Sequence, residues 1–171
     1  MIKKITLLTT LMIFSSQLSA TVPLSINNGK TKTSISSGIG FTNVEVTDSN
    51  EFSYYLDFTW MKSYKNTAHY FGGGIGYTNS QDHYTNFGAE IKYGYDWNVD
   101  FKIPITSKFG LGYAYNEIEN IESNGFQYSL DTTWDFSKKY SFGYKIQINE
   151  VEINSKTSHN TSNLFYFSAN F

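Results

Sequence analysis

The segment Phe52-Ser53-Tyr54-Tyr55-Leu56-Asp57-Phe58-Thr59-Trp60 decides how this chain is read. Every second residue, from Phe52 through Tyr54, Leu56 and Phe58 to Trp60, is large and apolar, and Ser53, Tyr55, Asp57 and Thr59 stand between them. A period of two is the signature of a strand with one apolar face. Working outward, the Trp60 mark recurs 37 residues later at Trp97 and again at Trp134, and a further equal step lands on Phe171. The same alternation precedes each mark: Ala89, Ile91, Tyr93 and Tyr95; Phe126, Tyr128 and Leu130; Phe165, Phe167 and Ala169. Between these runs lies a second repeated pattern, Gly38-Ile39-Gly40-Phe41, Gly74-Ile75-Gly76-Tyr77 and Gly110-Leu111-Gly112-Tyr113, with a weaker copy at Lys145-Ile146-Gln147-Ile148. Two strand types in one long beat make a hairpin. Four hairpins give eight antiparallel strands, expected near 32–45, 51–62, 67–78, 84–98, 106–117, 125–136, 140–152 and 161–171.

The first twenty residues stand apart from this pattern. Lys3 and Lys4, the apolar run from Ile5 to Phe14 and the polar stretch ending Ser19-Ala20 read as a secretory signal. The expected organisation is a signal peptide at 1–20, a periplasmic leader at 21–31 and a barrel at 32–171. After Phe14 no apolar run approaches the roughly 18 residues of a membrane helix. With the signal removed, 11 lysines face 15 acids and arginine is absent. Nucleic-acid binding, which leans on basic excess and guanidinium forks, has no support.

A soluble barrel and a membrane barrel share this period but turn opposite faces outward. Volume separates them. An eight-stranded barrel has an interior only just wide enough for side chains, too small for some thirty Phe, Tyr, Leu, Ile and Trp residues. The complementary set fits: glycines, serines and the charged residues Asp57, Glu90, Lys92, Asp96, Lys108, Asp131, Asp135 and Lys145, expected as a lumenal charge network. The all-β architecture is therefore an eight-stranded antiparallel up-and-down transmembrane barrel, polar inside and apolar outside. With both termini on the periplasmic side, Trp60, Trp97, Trp134 and Phe171 close the descending strands and form an aromatic girdle at headgroup depth.

With its signal, eight alternating strands and terminal Phe165, Phe167 and Phe171, the chain resembles the small outer-membrane β-barrels of the OmpX/OmpA-transmembrane type. The resemblance covers the whole mature chain and implies residence in the outer membrane of a Gram-negative bacterium. It also implies that Phe165, Phe167 and Phe171 are read by the barrel-insertion machinery. That family's lumenal arginine clusters are missing here, which leaves lysine as the interior cation. No further periplasmic domain is expected after the last strand.

The remaining charges segregate. Glu45, Asp48, Glu51, Asp82, Glu117, Glu119, Glu122, Glu150 and Glu152 fall at the loop end against Lys156. Lys30, Lys32, Lys62, Lys65, Lys102, Lys138 and Lys139 fall at the termini end against Asp100. The acidic rim fits either divalent cations bridged to lipopolysaccharide or a solvated edge, and the solvated edge is preferred. Asp57 and Asp131 are expected to form ion pairs with the lysines rather than a catalytic pair. His159 and Ser162 weakly suggest the His–Ser couple of a lipid hydrolase, with Thr161 at the more usual spacing, but His69, His83 and His159 read more simply as surface histidines. The glycine pairs lie mid-strand, so they are not phosphate loops. The expected function is a non-enzymatic, monomeric surface barrel with a plugged lumen, short acidic loops, no cofactor and no metal, with outer-membrane lipid and lipopolysaccharide around it. The alternatives are a narrow cation-preferring channel and, below it, an outer-membrane lipid-modifying enzyme.

Overall fold

The computed structural model describes residues 30–171 apart from 66, 81–83 and 154. The expected signal peptide and nearly all of the leader, together with Asp82 and His83, lie outside the described residues. The elements are β1 (Thr31–Val44), β2 (Ser49–Ser63), β3 (His69–Ser80), β4 (Tyr84–Asp96), the short helix α1 (Trp97–Phe101), β5 (Ile105–Ile118), β6 (Ile121–Asp135), β7 (Tyr140–Ile153) and β8 (Lys156–Asn170). Each strand pairs antiparallel with its neighbours, and β8 returns to β1 to close the barrel.

The register fixes the barrel's shape. Stepping sideways from Thr33 leads through Trp60, Gly73, Ile91, Leu111, Tyr128, Ile148 and Thr161 and re-enters β1 at Asn43, ten residues above the start. A stagger of that size over eight strands sets a tilt of about 40°, so a 14-residue strand such as β1 climbs about 35 Å along the axis. That exceeds the roughly 30 Å hydrocarbon core of a bilayer.

The two faces sort as the alternation predicts. Ile91 is 71% exposed and Leu130 55%, whereas Asp57, Glu90, Lys92, Asp131 and Lys145 are buried inside. The lumen nevertheless holds more bulk than glycines, serines and charged residues alone. Tyr55, Tyr70, Tyr84, Ile118, Leu164 and Tyr166 also point inward and are buried. Glycines make the room for them. A Cβ on Gly143 would lie 2.2 Å from the Tyr166 ring, and one on Gly88 would lie 2.3 Å from the Gln127 amide.

Strand ends depart from the sequence expectation. β8 begins at Lys156 rather than 161, and β6 at Ile121 rather than 125. The added segments, Lys156-Thr157-Ser158-His159-Asn160 and Ile121-Glu122-Ser123-Asn124, are mostly polar on both faces, so no alternation announces them. The loop-end turns shrink accordingly; Glu119 and Asn120, both at positive φ, link β5 to β6. Trp97 is not part of β4. Asp96 caps α1 by accepting a hydrogen bond from the Asn98 amide at 3.0 Å, which turns the chain out of the sheet one residue before the tryptophan. Lys102 ends the helix in the left-handed region at φ 59°.

Candidate functional site: the filled lumen and its open end

Read down the axis from the loop end, the interior is layered. Val44, Tyr84, Ile118 and Val151, contributed by β1, β4, β5 and β7, pack into an apolar lid with exposures of 0–1%. Beneath it lies an amide layer. Asn116 Oδ1 accepts from Tyr84 OH at 3.0 Å and from Asn86 Nδ2 at 2.9 Å. Asn149 Nδ2 donates to Tyr84 OH at 2.8 Å, and Gln147 Nε2 to Asn86 Oδ1 at 3.0 Å. Thr42 shares hydroxyl contacts with Ser53 and Ser162 in the same region.

The middle is an ion-paired plug. Lys92 Nζ reaches Asp57 Oδ2 at 3.2 Å, Glu90 Oε2 at 3.5 Å and Thr59 Oγ1 at 2.9 Å. Lys145 Nζ reaches the same Glu90 oxygen at 3.4 Å and sits 5.2 Å from the centre of the Tyr55 ring. Gln127 Nε2 donates to the other Glu90 oxygen at 2.8 Å. Lys108 pairs with Asp131 at 3.0 Å, and Tyr166 OH donates to Asp131. Buried charges persist only when paired and hydrogen-bonded, and these carboxylates meet that condition.

The lumenal network expected from the sequence, Asp57, Glu90, Lys92, Asp96, Lys108, Asp131, Asp135 and Lys145, is thus placed along one interior. Lys32, assigned above to the termini-end group, belongs to the lumen as well. Its Nζ lies 2.7 Å from Asp96 and 3.8 Å from Asp135. Parity could have found it, because Lys32 shares its face with Ser34 and Ser36.

Below the plug the lumen opens at the termini end into a cavity of about 740 Å³. On the outer wall at that end, Trp60 and Trp134 stand near the ends of β2 and β6. Trp97 meets Tyr95 edge-on at 4.9 Å, and the Phe171 amide donates to Thr33 O at 2.8 Å. Phe165 and Phe167 face outward on β8. At the other end His159 lies 3.9 Å from Glu45 and 3.9 Å from Glu150. Ser162 points into the lumen with no exposure, so His159 and Ser162 face opposite sides of the wall and form no nucleophilic couple. His69 contacts Tyr93 OH at 2.8 Å on the outer face. Among the described residues no set of three or more acidic, histidine or cysteine side chains is arranged to hold a metal ion.

A closed, tilted eight-strand sheet with apolar side chains outside and a filled polar interior defines the class: the fold is that of the small eight-stranded outer-membrane β-barrels. Solved structures of that class are similar to it at low sequence identity. The outer membrane enzyme PagL superposes with a TM-score of 0.61 at 16% identity, over 79% of this chain and 97% of that one. The N-terminal β-barrel domain of Pseudomonas aeruginosa OprF gives 0.55 at 9% identity, over 84% and 100%. Neisserial surface protein A gives 0.54 at 7%, over 85% and 100%. No protein-family model matches the sequence, and no curated protein matches it. Among the described residues no helix is long and apolar enough to cross a membrane; a barrel of this kind crosses with strands.

Proposed function

We propose that the protein is a non-enzymatic barrel of a Gram-negative outer membrane, delivered by its signal segment and inserted through its closing aromatics. It carries no flux and holds a short acidic rim on a rigid scaffold. The supporting observation is the lumen. An apolar lid, an amide layer and an ion-paired plug stand in series, and the plug's charges are paired with one another, which supports a lumen closed to a continuous water column. The apolar outer wall supports membrane residence, since lipid-facing charge is costly and the belt shows none. The rim carboxylates form a solvated edge, with divalent cations bridging them to lipopolysaccharide phosphates as the alternative.

The test is conductance. Refolded barrel added to a planar bilayer is expected to give no reproducible steps. Uniform steps with cation preference would replace this reading with the narrow channel. The likeness to an enzyme is addressed by mass spectrometry of lipid A from cells with and without the protein: the spectra should match, and a difference abolished by His159→Ala would establish a lipid-modifying activity.

A further inference from the structure

The cavity at the termini end differs in charge from everything above it. Five lysines line it, Lys30, Lys32, Lys102, Lys108 and Lys138, against Asp96 and Asp135. Lys32 and Lys108 are already held by Asp96 and Asp131. Lys30, Lys102 and Lys138 have no carboxylate within ion-pair distance among the described residues. They arrive from three separate places: the residue before β1, the loop after α1 and the β6–β7 turn. Positive charge remains in excess even after a terminal carboxylate on Phe171 is counted. The Thr106 hydroxyl, which accepts from Lys32 at 3.3 Å, keeps its own proton to donate on the wall.

We propose that this cavity is a binding cup for a carboxylate-rich peptide segment. Its volume of about 740 Å³ falls in the range of ligand pockets, roughly 300–1,000 Å³. Its inner end is closed by the ion-paired plug, so an entering chain stops there. The three unpaired lysines are spread around the mouth rather than gathered at one point. They match several carboxylates along an extended chain better than a single small anion. The protein's own segment 21–29, Thr-Val-Pro-Leu-Ser-Ile-Asn-Asn-Gly, has no carboxylate and lacks the complementary charge. Lys62, Lys65 and Lys139 share this end but do not line the cavity, and these are the lysines placed to meet lipid headgroups. In the orientation proposed above, the cup faces the periplasm, and the basic end as a whole steers an acidic partner toward it.

The experiment uses the full mature chain, refolded in nanodiscs of uncharged phosphatidylcholine, with a fluorescein-labelled hexaglutamate peptide as the probe and anisotropy as the readout. The probe should bind at about 50 mM salt and weaken as salt shortens the screening length. Lys30→Gln, Lys102→Gln and Lys138→Gln together should lower affinity about tenfold, while Lys62→Gln, Lys65→Gln and Lys139→Gln together should change it less than about twofold. Both triples remove the same charge from the same end, so only the cup distinguishes them. Heat-modifiable gel migration verifies that each variant is folded, and hexalysine should not bind the unmodified barrel. Equal losses in the two triples, absence of hexaglutamate binding, or binding of hexalysine would each overturn the proposal. If binding disappears in phosphatidylglycerol nanodiscs, the lysines serve lipid headgroups instead.

Discussion

At Lys92 one ammonium group holds two carboxylates and a threonine hydroxyl in a site with almost no solvent access. Lys92→Met would leave Asp57 with only the Thr59 hydroxyl at 2.5 Å, whereas Glu90 would keep Lys145 and Gln127. Stranding one buried charge costs about 3–5 kcal/mol. Urea unfolding in lipid vesicles, followed by tryptophan fluorescence, should show that loss, and adding Asp57→Asn should recover most of it; a strictly additive double variant would mean that the two residues are not coupled. The glycines divide into two kinds. A Cβ on Gly143 would collide with the Tyr166 side chain, while one on Gly40 would lie 1.9 Å from the backbone oxygen of Asn163. Both Gly→Ala changes should destabilise by about 1–3 kcal/mol. Only the first should be relieved by Tyr166→Leu, because no side-chain replacement moves a backbone carbonyl. The lumenal charges could be read from the alternation because Asp, Glu and Lys cannot face lipid. Tyr55 and Tyr166 share the parity of Asp57 and Ser168, so their facing was legible too; the room for them was not, because it comes from glycines on other strands.

Among the strands, β6 gives the cleanest test of facing. Leu130 stands at mid-height on its outer side and pairs across with Phe109 and Ile146. Leu130→Arg should cost about 2–4 kcal/mol in vesicles, and the same change at Asn50, at the exposed upper end of β2, should be nearly silent. Equal effects at the two sites would refute the outward-apolar assignment. Asn79, which the sequence expectation put in a loop, lies inside β3 and hydrogen-bonds Thr85 at 2.9 Å, so it is a poorer comparison. The existence, number and facing of the strands were legible because burial in lipid enforces period two across the middle of every one. Their ends were not. Above and below the lipid both faces are polar, the alternation vanishes, and hydrogen-bond pairing alone decides where a strand stops. That is why β8 starts five residues earlier than 161. The equal spacing of Trp60, Trp97 and Trp134 likewise hid a change of structure, since Asp96 turns Trp97 into the first residue of α1.

For the whole molecule, the layered interior places two kinds of barrier in series, and they can be opened separately. The lid is hydrophobic, and under the proposed function it would exclude ions by dewetting. The plug is steric and electrostatic, its bulk supplied by Tyr55 and Tyr166, whose ring centroids are 5.9 Å apart. Tyr84→Ala with Ile118→Ala removes the lid but leaves the plug, so that barrel should still be silent in a planar bilayer. Tyr55→Ala with Tyr166→Ala thins the plug beneath an intact lid and should be silent too. Only the four substitutions together should produce reproducible steps. Those steps should show little ion selectivity, because Asp57, Glu90, Asp96, Asp131 and Asp135 nearly balance Lys32, Lys92, Lys108 and Lys145 inside, and Lys30, Lys102 and Lys138 add positive charge at the mouth. Steps from the lid variant alone would show that the ion pairs do not block passage. Silence from the fourfold variant, once gel migration confirms a folded barrel, would place the remaining barrier in the amide layer of Asn86, Asn116 and Asn149, where hydrogen bonds among neutral side chains would then be the true seal.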